Sequence, residues 1–214
     1  MNKPEPIFTT RQTVTLRLPL AKNTRILHPE QVILQIDEHY QDLGAFCYAL
    51  RSDNKRPRQP REVVLDSFLK QRPNQVLQLI KILSGLITDG GKRLATVVSY
   101  SDTLKMFIDY ADGRGLHDCL AGGDATRKAY QAWAEDTHER YRLQEFSGSA
   151  HNARIKNVCT LLEALTGLHE LDRGIRKIME PPKSIGGTEP LAPHDFAHGL
   201  ALNQALFEGL CDLV

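Results

Sequence analysis

The chain has 214 residues, 41% of them hydrophobic and 25% charged, with a formal net charge of +1. Such a chain can bury a sizeable core, as one large or two small domains, and its balance of charge does not by itself mark a nucleic-acid binder. No apolar run reaches the roughly 18–20 residues of a membrane span and the start, MNKPEPIFTT, lacks a signal-peptide core, so a cytoplasmic protein without a membrane partner is expected.

Residues 8–18, FTTRQTVTLRL, alternate around Val14, Leu16 and Leu18, which predicts one strand. Residues 29–50 mix Val32, Leu34, Ile36, Leu43, Phe46 and Tyr48 with acids and read as helix. The stretch RSDNKRPRQPR, residues 51–61, has five basic residues, one acid, two prolines and no apolar residue. It reads as an exposed linker, or else as a basic arm. Residues 61–87 are strongly helical with an interruption at Pro73, and Asp89-Gly90-Gly91 ends that helix.

The next helix carries Val97, Tyr100, Leu104, Phe107, Ile108 and Ala111 on one wide stripe and stops at Gly113 and Gly115. Asp124 reads as the N-cap of a helix with Tyr130, Trp133, Ala134, Thr137 and Tyr141 on one face. Core packing, not base stacking, is the expected role of Tyr130 and Trp133. After Phe146-Ser147-Gly148, Ser149 caps a helix whose stripe is Ile155, Val158, Cys159, Leu162 and Leu165, ending at Gly167. A short further helix is read with Leu171, Ile175 and Ile178 inward, closed by Pro181-Pro182. Residues 92–180 therefore predict a compact bundle of four helices with short loops. KSIGGTEP, residues 183–190, follows as a linker, and a last amphipathic helix carries Phe196, Leu200, Leu206, Leu210 and Leu213. The sequence stops inside that apolar pattern, which is expected of a chain that continues into another domain. Cys47, Cys119, Cys159 and Cys211 are scattered, as reduced core thiols are.

Ser99, Tyr100, Leu104, Phe107 and Tyr110, then Ser149, Arg154, Ile155, Val158, Leu162, Leu165 and Gly167, and finally Ile175 and Pro182-Lys183, form a spaced pattern. In this pattern residues 91–182 resemble the core-binding (SAM-like) domain of the tyrosine recombinases, the phage-integrase family. Ala150 stands where that family has Thr, and Leu171-Asp172 stands near its usual Asn-Pro. The resemblance implies a mainly α fold: a four-helix core-binding bundle at 91–182, an N-terminal extension at 1–90 for which one strand is predicted, and at 183–214 a linker and the first helix of a truncated catalytic domain. It also implies double-stranded DNA as partner, a homo-oligomer on that DNA, and association with the nucleoid when bound. Half of a clamp around the duplex would lie here. Strand exchange through a phosphotyrosine would belong to the missing catalytic domain.

The basic residues fit that reading as a set. Arg173, Arg176 and Lys177 fall opposite Leu171, Ile175 and Ile178; Lys92 and Arg93 precede the first helix of the bundle; Lys105, Arg154 and Lys156 flank apolar stripes. Ser99 and the Tyr100 hydroxyl complete the candidate DNA contacts. No catalytic residue is assigned. His151-Asn152-Ala153-Arg154 spells HxxR, part of the family's catalytic signature, but it opens a core-binding helix and lacks the other partners. No cofactor or metal is expected: His194 and His198 have i, i+4 spacing, without an adjacent Glu or a third ligand. The alternative reading is a helical protein–protein interaction or adaptor module with no DNA role.

Overall fold

A computed structural model describes residues 5–53 and 58–179. The described residues up to Ile178 form one compact unit, and a second unit begins at Met179. The readings at Lys55 and Arg56, the linker at 183–190, the last amphipathic helix and the His194/His198 pair lie outside the described residues.

Helices predominate. Three strands, β1 (Val14–Arg17), β2 (Val32–Ile36) and β3 (His39–Asp42), precede four helices among the described residues. These are α1 (Arg72–Thr88), α2 (Leu94–Gly113), α3 (Gly123–Arg142) and α4 (Gly148–Thr166). The sheet order is β1-β2-β3, with β1 parallel to β2 and β2 antiparallel to β3. The strand expected within 8–18 is present as β1.

The helix expected over 29–50 is instead a β-hairpin followed by a 3-10 turn at Gly44–Cys47. Val32, Ile33 and Ile36 are β-branched and lose side-chain freedom in a helix, and Ile36 pairs with His39 across a two-residue turn. Asp37 takes the left-handed conformation there at φ +56°. Gly44 packs so tightly that an added Cβ would overlap the Glu30 carbonyl oxygen. The helix expected from 61 starts only at Arg72, because Pro73, lacking an N–H to place, suits the first turn of α1 rather than interrupting it. Upstream, Val63 forms bridges to Thr9 and Arg51.

Helix α2 buries its whole stripe: Val97, Leu104, Phe107, Ile108 and Ala111 have no exposed surface. Trp133 of α3 is 3% exposed and meets Phe107 edge-to-face, centroids 5.7 Å apart. Tyr130 is equally internal, its hydroxyl donating to the Ile155 carbonyl at 3.1 Å. Both aromatics are core, as the sequence predicts. Two caps differ from expectation. Helix α3 enters at Gly122 and Gly123, both at positive φ, which leaves Asp124 in the first turn facing the helix dipole. Helix α4 is capped by Ser147, whose Oγ accepts the Ala150 N–H, and not by Ser149.

The short helix expected at 168–178 is not formed. Leu171–Gly174 make a turn and the rest is irregular chain. Glu170 at φ +54° and Gly174 at φ +82° break any helical run. Leu171 is nonetheless buried, and Ile175 packs on the core. Four helices do pack together, but α1 takes the place read for the missing one: α4 lies against α1, α2 and α3.

Candidate functional site

The structure sorts the basic residues into two kinds. At both ends of the 51–61 stretch the arginines face inward, against the expectation of an exposed linker, while the described Arg58 is exposed over the Tyr40 ring. Arg51 bonds Asp109 and Asp112 of α2, each at 2.7 Å, and Arg61 reaches Asp109 at 3.2 Å. Arg72, fully buried, donates to Asp112 Oδ1 at 2.8 Å and to the His117 carbonyl at 2.6 Å. Arg11 pairs with Asp42, which also accepts the Arg61 N–H. The Arg51 and Arg61 guanidiniums flank the Phe46 ring. These cations are committed to carboxylates and hold the sheet region to α2.

The ten candidate DNA contacts separate differently. Lys156 of α4, Arg176 and Lys177 line one cavity of about 260 Å³, together with His151, Asn152, Ile155 and Asp172. None of these three cations makes an ion pair among the described residues. Ser99 is exposed and its Oγ accepts from Asn157, the neighbour of Lys156, at 3.3 Å. Lys92 and Arg93 are exposed in the turn that opens α2, nearly two helical turns ahead of Ser99. Lys156, Arg176 and Lys177 thus share one cavity with Ser99 joined to the neighbouring Asn157, whereas Lys92 and Arg93 are exposed at the start of α2 without a contact to that cavity.

The other four are placed elsewhere. Tyr100 belongs to the core. Lys105 pairs with Asp102 at 3.0 Å, and Asp102 also accepts from Gln41 of β3, so Lys105 turns toward the sheet and away from α4. Arg154 lies two residues from Lys156, hence about 200° around α4. Its guanidinium stacks on Phe146 at 3.9 Å. Arg173 pairs with Glu170 at 3.1 Å. The expectation that Lys105 and Arg154 share a face with the 173–177 cations therefore fails, because both side chains take local partners.

The HxxR histidine is structural in its setting. His151 is 1% exposed and meets His138 and Tyr141 of α3 ring-to-ring. Burial pushes its imidazole below the usual range, so the ring is neutral near pH 7. Burial also pushes the Cys47 and Cys119 thiols up to about 12 and that of Cys159 to about 11, which leaves them protonated and unreactive. Among the described residues no three or more His, Cys, Asp or Glu are grouped to hold a metal ion. None of the described helices is long and apolar enough to cross a membrane.

Sequence reasoning missed Asn152 and Asn157. Asn152 holds the Ile178 backbone, and Asn157 joins α4 to Ser99 and Thr103 of α2. Neither residue type carries a sequence signal for such a partner. No family model, no curated protein and no solved structure matches this chain.

Proposed function

We propose that the chain is the DNA-binding N-terminal part of a site-specific tyrosine recombinase, with residues 91–182, which include α2–α4, as its SAM-like core-binding domain. The observation that carries this reading is the unpaired trio Lys156, Arg176 and Lys177 around one cavity, with Ser99 held by Asn157 next to Lys156. Nine other described arginines and lysines are held in ion pairs, whereas these three meet at one cavity without one. Three unneutralised cations on one side suit a phosphate backbone, which fixes register without reading sequence. The family pattern of residues 91–182 adds the partner: duplex DNA, clamped for strand exchange by a catalytic domain beyond this chain.

The test is fluorescence anisotropy of long duplex DNA over a salt series. Affinity is expected to fall with salt at a log–log slope of about −0.9 per neutralised phosphate. Lys156→Glu, Arg176→Glu and Lys177→Glu together should abolish binding across all sequences, while Arg173→Glu, whose partner is Glu170, should do much less. Equal binding by wild type and the triple variant, or none by wild type at low salt, defeats the reading. The adaptor alternative then gains from a separate observation: Phe8, Leu50, Leu65 and Phe68 are exposed apolar side chains along the pairing of 47–51 with 63–69.

A further inference from the structure

The chain from Leu168 to Ile178 has no helix to stiffen it, yet it is fastened to α4 at two points. Near its start, the Leu171 N–H donates to Glu163 Oε1 at 3.0 Å. At its end, the Asn152 carboxamide takes both sides of the Ile178 residue. Its Nδ2 donates to the Ile178 carbonyl at 2.8 Å, and its Oδ1 accepts the Ile178 N–H at 3.0 Å. One side chain thus supplies the pair of bonds that a residue on a neighbouring antiparallel strand would make. The amide cannot be reversed, because N–H would then face N–H and oxygen would face oxygen. His151 Nδ1 lies 3.2 Å from the same Oδ1, so Nδ1 carries the ring proton and braces Asn152.

Between the two fastenings the strap bridges unfilled space. A cavity of about 310 Å³ lies against His138, His151, Ile175 and Arg176, and the cavity of about 260 Å³ adjoins it. Without helical hydrogen bonds and with cavities beneath it, such a segment lies at the low end of local stability, although Leu171 is buried and the fastening bonds are part-buried. The strap also carries Arg176 and Lys177 to the side of Lys156. Closing it gathers three like charges, tempered by Asp172 in the same cavity and by Glu135 in the adjoining one that Arg176 also lines. An anion removes that repulsion.

We propose that Asn152 is a latch on the point where the chain leaves this unit, and that a phosphate seated among Lys156, Arg176 and Lys177 holds the latch shut. The ligand rests on the DNA reading above; the latch rests on the Asn152–Ile178 bonds. Ligand and latch are coupled in both directions: what closes the strap binds more tightly when Asn152 is present. Occupancy of the cationic side is thereby transmitted to the residue from which the rest of the chain departs.

Amide hydrogen exchange on the full chain tests this, read at Leu171 and Ile178, with no ligand, with inorganic phosphate and with duplex DNA. Duplex DNA should slow exchange at Ile178 by roughly tenfold in wild type. In Asn152→Ala the Ile178 amide should exchange fast in every arm, and duplex affinity should fall several-fold, with exchange in α2 unchanged as the check on folding. DNA that binds without slowing Ile178 overturns the latch and leaves the DNA reading standing. Phosphate that slows Ile178 in a protein that does not bind duplex keeps the latch and overturns the DNA reading. No slowing by either ligand overturns the latch, and the wild-type arms alone decide this should Asn152→Ala fail to fold.

Discussion

Arg51, Arg61 and Arg72 differ from Lys156, Arg176 and Lys177 in what faces them. The first three are buried and meet Asp109 and Asp112. The second three are exposed around a shared cavity, with no ion pair among the described residues. In the dry seam a guanidinium needs its carboxylate, because an unpaired charge there forfeits its hydration. On the wet side a cation stays hydrated without a partner and remains available to a ligand. The contrast teaches that basic residues in a sequence cannot be sorted into scaffold and site by their own identity. The position of the acids decides.

The largest expected effect breaks the seam. Asp112→Ala removes a partner of both Arg51 and Arg72. Arg51 keeps Asp109, but the fully buried Arg72 loses its carboxylate, so the loss should fall within the roughly 3–5 kcal/mol range for a broken buried pair, read by urea denaturation. A loss near that of an exposed ion pair would erase the distinction between the two regions. Next comes the apolar core that both regions share. Trp133→Ala should cost about 3–4 kcal/mol, since the ring is 3% exposed and packs on Phe107. A solvent-exposed Trp133 by fluorescence quenching would contradict the packing. A smaller effect tests the entry to α4: Ser147→Ala should cost about 1 kcal/mol, whereas Ser149→Ala should cost less, because Ser147 accepts the Ala150 N–H.

The helices α2, α3 and α4 were legible in the sequence because their apolar stripes repeat every three or four residues over many turns. The inward packing of Leu171 and Ile175 was legible for the same reason, but the helix was not, and Ile178 is only half-buried. Their spacing is compatible with a turn, and the positive φ at Glu170 and Gly174 left no readable trace beyond one glycine. The 29–50 hairpin was misread because acids between apolar residues imitated an amphipathic helix, while the β-branched run VILQI carried the true signal. At the site, Lys156, Arg176 and Lys177 were singled out from their charge, helical-face placement and the family pattern, and the structure brings all three to one cavity. Lys105 and Arg154 were wrongly grouped with them, since Asp102 and Phe146, which hold them, reveal themselves only through geometry. The seam was hidden for the converse reason: Asp42, Asp109 and Asp112 lie far in sequence from most of their arginines.

The smallest effect is the sharpest test of the contrast, because it predicts nearly nothing where Asp112→Ala predicts a great deal. Lys156→Gln, Arg176→Gln and Lys177→Gln together remove three formal charges, more than Asp112→Ala does. Stability should nevertheless move by no more than about 0.5 kcal/mol per site, because each side chain is exposed and none is left with an unpaired buried acid. The sign should be slightly stabilising at low salt, where the three cations repel one another, and should vanish as salt screens them within a Debye length of about 10 Å at 0.1 M. Denaturation of wild type and the triple variant at low and moderate salt measures both. A large loss of stability would mean that these cations have carboxylate partners after all, and would move them from the ligand side of the comparison to the scaffold side.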